Sequence, residues 1–213
     1  MEILEKTLDD YCSAFSGLPS EQLYHLERET HLKTLAPQMM SGALQGQFLY
    51  LMCQIIQARS VLEIGTFTGY AAICLAKGMP ADGILHTIEA NKELGWLIRK
   101  YLKLAQVEEK VQLHLGDAFQ IIPKLTGPFD LVFLDAGKRD YGRFYDLIFD
   151  RVRPGGLILA DNVLWSGKVI TPERWKDADT RILHAFNQKI KADTRVEPLI
   201  LPLRDGLMLV RKK

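Results

Sequence analysis

From residue 59 onward the chain alternates short, nearly all-apolar runs with stretches of helical spacing, and this alternation constrains the fold more than any other feature. "SVLEIG", "ILHTIE", "KVQLHLG", "FDLVFLD" and "GGLILAD" are β-rich. Continuous apolar strands separated by helices bury both faces only in a parallel sheet covered on each side. The intervening helical patterns include Asn91 to Leu104 and Tyr141 to Val152. At the C-terminal end the rhythm changes. "TRVEPLILPL" and "GLMLVRK" are joined by a tight Arg-Asp-Gly turn, which predicts a hairpin and antiparallel pairing at one sheet edge, beside a helix from about Trp175 to Lys191.

Three helices precede the sheet. Leu4, Leu8, Tyr11, Cys12 and Phe15 recur at helical spacing until Gly17 and Pro19 break it; Ser20 is placed to cap a second helix to about Lys33, and a third spans Gly42 to about Ala58. Nothing in the middle of the 213 residues resembles a linker, so a single domain, 1–213, is expected, with helices over 1–58 and the sheet core over 59–213. A net charge of +1 offers no electrostatic footprint for nucleic acid and leaves small molecules as the expected partners. Cys12, Cys53 and Cys74 lie far apart among apolar residues, as reduced core thiols do. No run reaches a membrane-spanning length and "MEILEKTLDD" lacks a basic region followed by an apolar one, so a soluble, cytoplasmic protein is expected.

Ligands of open parallel sheets bind outside the carboxyl ends of the strands, so the residues closing each strand carry the functional information. Here they are acidic or lead into acid: Glu63 with Gly65, Glu89, Gly116 with Asp117, Asp135, and Asp161 with Asn162. The first loop, "LEIGTFTGYAA", has glycines at Gly65 and Gly69 but Phe67 and Tyr70 where a dinucleotide fingerprint needs glycine, and no basic residue to hold phosphate. An acid before the loop suits a cationic ligand instead. Glu89 is placed to accept from a ribose diol, and Asp117 from an adenine amino group; their bland readings are a turn residue and a helix cap. Ribose and adenine with a positive centre and no phosphate describe S-adenosylmethionine. Asp135, Asp161 and Asn162 supply hard oxygen donors suited to Mg2+, or to another divalent cation such as Mn2+ or Ca2+, and Lys138 follows Asp135 in a D-x-x-K pattern.

"VLEIGTFTGY", "IEAN", "GDA", "FLDAGK" and "LADN", with "QGQFL" and the late "LPLRDGL", together resemble the cation-dependent O-methyltransferases, the group containing catechol O-methyltransferase and the caffeoyl-coenzyme A O-methyltransferases. The resemblance covers nearly the whole chain. It implies a Rossmann-like class I methyltransferase fold, α/β, with a seven-stranded mostly parallel sheet, an antiparallel C-terminal hairpin strand, and N-terminal helices covering the site. It implies a cofactor site of Met39, Ser41, Glu63, Gly65, Phe67, Tyr70, Ala71, Glu89, Ala90, Asp117, Ala118 and Asp135. The metal ligands it implies are Asp135, Asp161 and Asn162, the catalytic base is Lys138, and the acceptor contacts are Met39, Lys138, Asn162 and Trp165. The acceptor would be a catechol, caffeate, flavonoid or caffeoyl-coenzyme A-like compound, and the assembly a homodimer.

A catechol hydroxyl titrates near a tyrosine, at about 10, so a nearby cation that lowers this value and a lysine of depressed pKa that takes the proton together make the nucleophile. The sequence also departs from the group. Ala71 replaces a serine, Gly137 replaces a tryptophan wall for which Trp165 is the candidate substitute, and Leu199 stands where a late glutamate is usual, with Glu197 close by. A metal-independent methyltransferase, a dehydrogenase on the same sheet, and a non-catalytic S-adenosylmethionine-binding regulator are the alternatives.

Overall fold

The computed structural model describes residues 6–17, 20–171 and 177–213. The helices are α1 (Lys6–Ala14), α2 (Glu21–Lys33), α3 (Gly42–Ile55), α4 (Tyr70–Gly78), α5 (Gly95–Leu104), α6 (Ala118–Ile121), α7 (Tyr141–Phe149) and α8 (Ala178–Ala192). The strands are β1 (Ser60–Ile64), β2 (Ile84–Glu89), β3 (Val111–Leu115), β4 (Phe129–Leu134), β5 (Val152–Ala160), β6 (Val196–Leu201) and β7 (Leu207–Lys212). They form one seven-stranded sheet in the order β3-β2-β1-β4-β5-β7-β6. The first five run parallel, and β7 is antiparallel to both its neighbours. The expected hairpin is present, with its second strand inserted between β5 and β6.

The alternation along the strands sorts side chains into two cores. Val61, Leu131, Phe133, Leu157 and Leu159 pack beneath α3, α4 and α5, whereas Leu62, Ile64, Val132, Leu134 and Ile158 pack against α7 and α8. Local signals set the boundaries. The Ser20 side chain accepts from Leu23 N at the start of α2, and Asp177 caps α8 through Thr180 N. The helix expected from Trp175 has its first residues outside the described chain, and α3 ends at Ile55 rather than Ala58. Among the described residues, no helix is long and apolar enough to cross a membrane.

The strand order reverses between β1 and β4, the switch point at which adjacent loops leave in opposite directions and open a crevice. Gly65 sits there at φ +102°, and a Cβ on it would overlap the Asp135 carbonyl oxygen. Glycine is therefore required twice over, for its backbone angle and for the close approach of the two strand ends.

Candidate active site

Above the carboxyl ends of the parallel strands lies an open cleft of about 1670 Å³. Its floor includes Gly65, Glu89, Asp117, Asp135, Asp161 and Asn162, and Met39 and Ser41 of the N-terminal segment form part of its wall. Phe67, Ala90, Ala118, Lys138 and Trp165 also line it. Tyr70 and Ala71 line a small hollow that shares Met39, Ser41 and Gly65 with the main cleft, and both are almost wholly buried.

Glu89 accepts from Phe67 N at 2.7 Å through one oxygen and from Asn91 N at 2.8 Å through the other. These amides fix the carboxylate at the end of β2, where a diol can find it. Asp117 accepts from Phe119 N at 2.9 Å as the cap of α6, so the bland reading of this residue holds alongside its place in the cleft.

Glu63 differs from expectation. It is fully buried and does not line the cleft; one oxygen accepts from Thr87 Oγ1, and Oε1 has no hydrogen-bond partner. Burial pushes its pKa up to about 8 against the Thr87 hydrogen bond, and the charges of Asp135 and Glu89 add to the shift. Between its ordinary 4.5 and about 8 the folded chain holds a proton that the unfolded chain releases. Stability therefore falls as pH rises through that window and levels off above it. In Glu63→Gln this slope should vanish. Thermal unfolding midpoints of the wild-type protein should drop relative to the variant between about pH 5 and about pH 8, and midpoints that move in parallel would show the carboxyl to be ionised in the fold.

Asp135 and Asp161 close neighbouring strands in register: Asp135 N donates to the Ile64 carbonyl, and Asp161 N to the Leu134 carbonyl at 3.0 Å. Asp161 is 3 % exposed; it accepts from Gln45 Nε2 at 3.0 Å and from Asn162 N at 2.7 Å. Burial, and then the Asp135 charge, push its pKa up to about 6, although the Gln45 hydrogen bond opposes the shift. Asn162 follows at φ +59°, a left-handed angle that asparagine tolerates better than most residues.

Lys138 Nζ is 3.0 Å from Asp135 Oδ1 and donates to the Tyr141 hydroxyl at 2.9 Å. Tyr141 is fully buried and donates in turn to the Asp161 carbonyl oxygen at 3.0 Å. Burial works against the lysine's charge, but Tyr141, Asp135 and Asp161 outweigh it and the pKa is raised. The depressed value expected of Lys138 applies beside a bound cation; in the protein alone these neighbours raise it. Asp135 is the partner we regard as decisive, because the tyrosine, its own pKa raised chiefly by burial, is neutral near pH 7.

Several residues in or against the cleft were given no role from the sequence, although Gln45 lies in "QGQFL" and Arg204 and Asp205 in "LPLRDGL". Tyr141, which orients Lys138, has its only sequence signal in the D-x-x-K-x-x-Y spacing. Phe119 lies between the Phe144 ring, stacked at 4.4 Å, and the Arg143 guanidinium, 4.3 Å from its centre. Gln45, Arg204 and Asp205 reach the site from far away in the chain. Glu197 pairs instead with Arg211 on β7 and, like Leu199, does not line the cleft. Gly137 does line it, with open space where a side chain would stand.

A sequence model of the O-methyltransferase family matches residues 13–213. Caffeoyl-CoA O-methyltransferase 1 of Eucalyptus globulus is 34 % identical over 187 residues, 82 % of this chain and 75 % of its own. Catechol O-methyltransferase of Niastella koreensis is 36 % identical over 163 residues, 75 % of this chain and 73 % of its own. Among solved structures, the O-methyltransferase TomG of Streptomyces achromogenes, involved in tomaymycin synthesis and in complex with S-adenosylmethionine, superposes with a TM-score of 0.89 at 32 % identity, covering 97 % of this chain and 96 % of its own. A Bacillus cereus O-methyltransferase in complex with S-adenosylhomocysteine gives 0.89 at 28 % identity, covering 97 % of each chain.

Proposed function

This chain belongs to the O-methyltransferase family, and on that premise we propose that it moves a methyl group from S-adenosylmethionine to one hydroxyl of a catechol-type acceptor, with Mg2+ or another divalent cation held by Asp135, Asp161 and Asn162. The chain is an S-adenosylmethionine-dependent O-methyltransferase; the acceptor, the metal, a homodimeric state and a cytoplasmic location are our inferences. One observation carries the metal reading. Two carboxylates are packed at adjacent strand ends with a single ammonium, and Asp161 titrates near 6 because it is buried beside Asp135. Such a pair is short of positive charge, and two carboxylates with an amide make a hard oxygen set. Among the described residues no group of three or more His, Cys, Asp or Glu side chains is arranged to hold a metal ion, and here the third donor is the Asn162 amide.

A divalent cation held by Asp135, Asp161 and Asn162 would lower the pKa of a chelated hydroxyl. S-adenosylmethionine supplies an electrophilic methyl group on a sulfonium. The protein's own residues do the rest. Glu89, fixed by two backbone amides, holds a ribose diol, while Phe119 and Ala118 border the adenine end. Lys138, oriented by Tyr141, loses one ammonium proton to solvent and, as the neutral amine, takes the acceptor proton at Nζ. Met39 and Trp165 border the acceptor end of the cleft, and charge neutralisation during transfer is favoured where the bound acceptor displaces water from it. Holding both partners in line supplies the entropic part of the acceleration.

The test is incubation with S-adenosylmethionine and a panel of catechols, with magnesium or with chelator, followed by mass spectrometry. Chelator-sensitive gain of one methyl group is expected. Methylation that persists in chelator would replace this reading with the metal-independent one.

A further inference from the structure

The β6–β7 turn is tied into the site on two sides. Arg204 sits at φ +50°, a left-handed angle that carries strain in a residue other than glycine. Its Nη1 donates to the Ser41 carbonyl oxygen and stands 3.5 Å from Gln45 Oε1. Ser41 and Gln45 are both buried, and Gln45 passes the contact on by donating to Asp161. The next residue, Asp205, accepts from the backbone N of Ser166, inside a run in which Trp165, Ser166 and Gly167 all have positive φ. One short turn thus fastens both the N-terminal segment at Ser41 and the loop that follows β5.

A solvated surface arginine would account for none of this, because the donor that meets Ser41 and Gln45 points into the protein. The two N–H groups of the single nitrogen Nη1 serve both acceptors, and the rigid guanidinium plane fixes their directions, whereas lysine offers a point charge on a flexible stem. We propose that Arg204 is a positioning residue for the acceptor end of the cleft, holding the segment from Met39 to Gln45 in place and, through Gln45, orienting Asp161. The backbone strain at Arg204 is the stability sacrificed for that geometry. The proposal rests on reading this end of the cleft as the acceptor site.

Arg204→Gly is the decisive variant, since glycine prefers the left-handed angle and the fold should be retained with an unchanged or higher unfolding midpoint. Hydrogen exchange of the amides from Met39 to Gln45 should then accelerate about tenfold, the scale of one lost charge-assisted hydrogen bond. The acceptor KM should rise by a similar factor, about tenfold, while the Kd for S-adenosylhomocysteine stays within about twofold. Arg204→Lys should fall between the two. Exchange is measured without acceptor, so it reports on Arg204 even if catechols prove to be the wrong substrates. Unchanged exchange at Met39 to Gln45, an acceptor KM that does not move, or a uniform loss of protection with a lowered midpoint would each overturn the proposal.

Discussion

Asp161→Asn should reduce methyl transfer by about a thousandfold or more, the scale on which metal-assisted reactions depend on their metal, while leaving the folded protein no less stable in chelator. Both halves follow from one fact. Asp161 is buried at the end of β5 beside Asp135, and its pKa is pushed up from 3.8 to about 6. A raised carboxyl pKa means that stability is fully present below the unfolded value and is lost as pH rises from about 3.8 through about 6. At neutral pH the cation-free protein is thus destabilised by holding this carboxylate ionised beside Asp135. Asparagine removes the charge and keeps an acceptor for Asn162 N, while its NH2 group cannot accept from Gln45 Nε2, so one hydrogen bond is lost against the charge relieved. Differential scanning fluorimetry in chelator and in magnesium separates the effects. The wild-type midpoint should rise with magnesium by mass action, and the Asp161→Asn midpoint should not. Undiminished turnover in the variant would remove Asp161 from the metal set.

The strand-ending acids were legible because an open parallel sheet places every strand's carboxyl end on one edge, so a motif at a strand terminus is also a location. Asp135, Asp161, Asn162 and Lys138 could be assigned to one cleft without knowing any side-chain direction. What the sequence concealed falls into two kinds. Glu63 belongs to the same kind of run, yet it lies inside β1, in register with Thr87 and Phe133 and short of the level of Asp135, so its side chain is buried against Thr87. Gln45, Arg204 and Asp205 join the site through contacts between distant parts of the chain, Arg204 with Ser41 across 163 positions, and no local pattern encodes such a meeting. Arg204 is the harder case: an Arg-Asp-Gly turn predicts a hairpin correctly and says nothing about the left-handed backbone that aims the arginine inward. D-x-x-K spacing puts Lys138 near Asp135, but only the structure shows that Tyr141 holds the ammonium there.

Lys138→Met should lower kcat by about a hundredfold to ten-thousandfold, the usual contribution of a positioned general base, with cofactor affinity little changed. Methionine preserves most of the apolar stem of a side chain only 15 % exposed and removes the ammonium. That ammonium lies 3.0 Å from Asp135 Oδ1, so it competes with any divalent cation for the same carboxylate. Its removal leaves Asp135 without that ion pair, with Arg204 still acting on Asp161 from beyond Gln45, and Mn2+ should bind about tenfold more tightly by electron paramagnetic resonance titration, given that one unit charge at this range is worth at least about 1 kcal/mol. A variant that binds metal more tightly and turns over more slowly is hard to explain by misfolding or by a purely structural lysine, either of which would weaken both. The pH profile adds a third reading. Since an ammonium cannot accept a proton, wild-type kcat should climb with pH as the Lys138 base is freed, and the variant should lose that limb. Were Lys138→Met to weaken S-adenosylmethionine binding and leave kcat and its pH dependence intact, Lys138 would be a cofactor contact, and the acceptor proton would have to leave by another group.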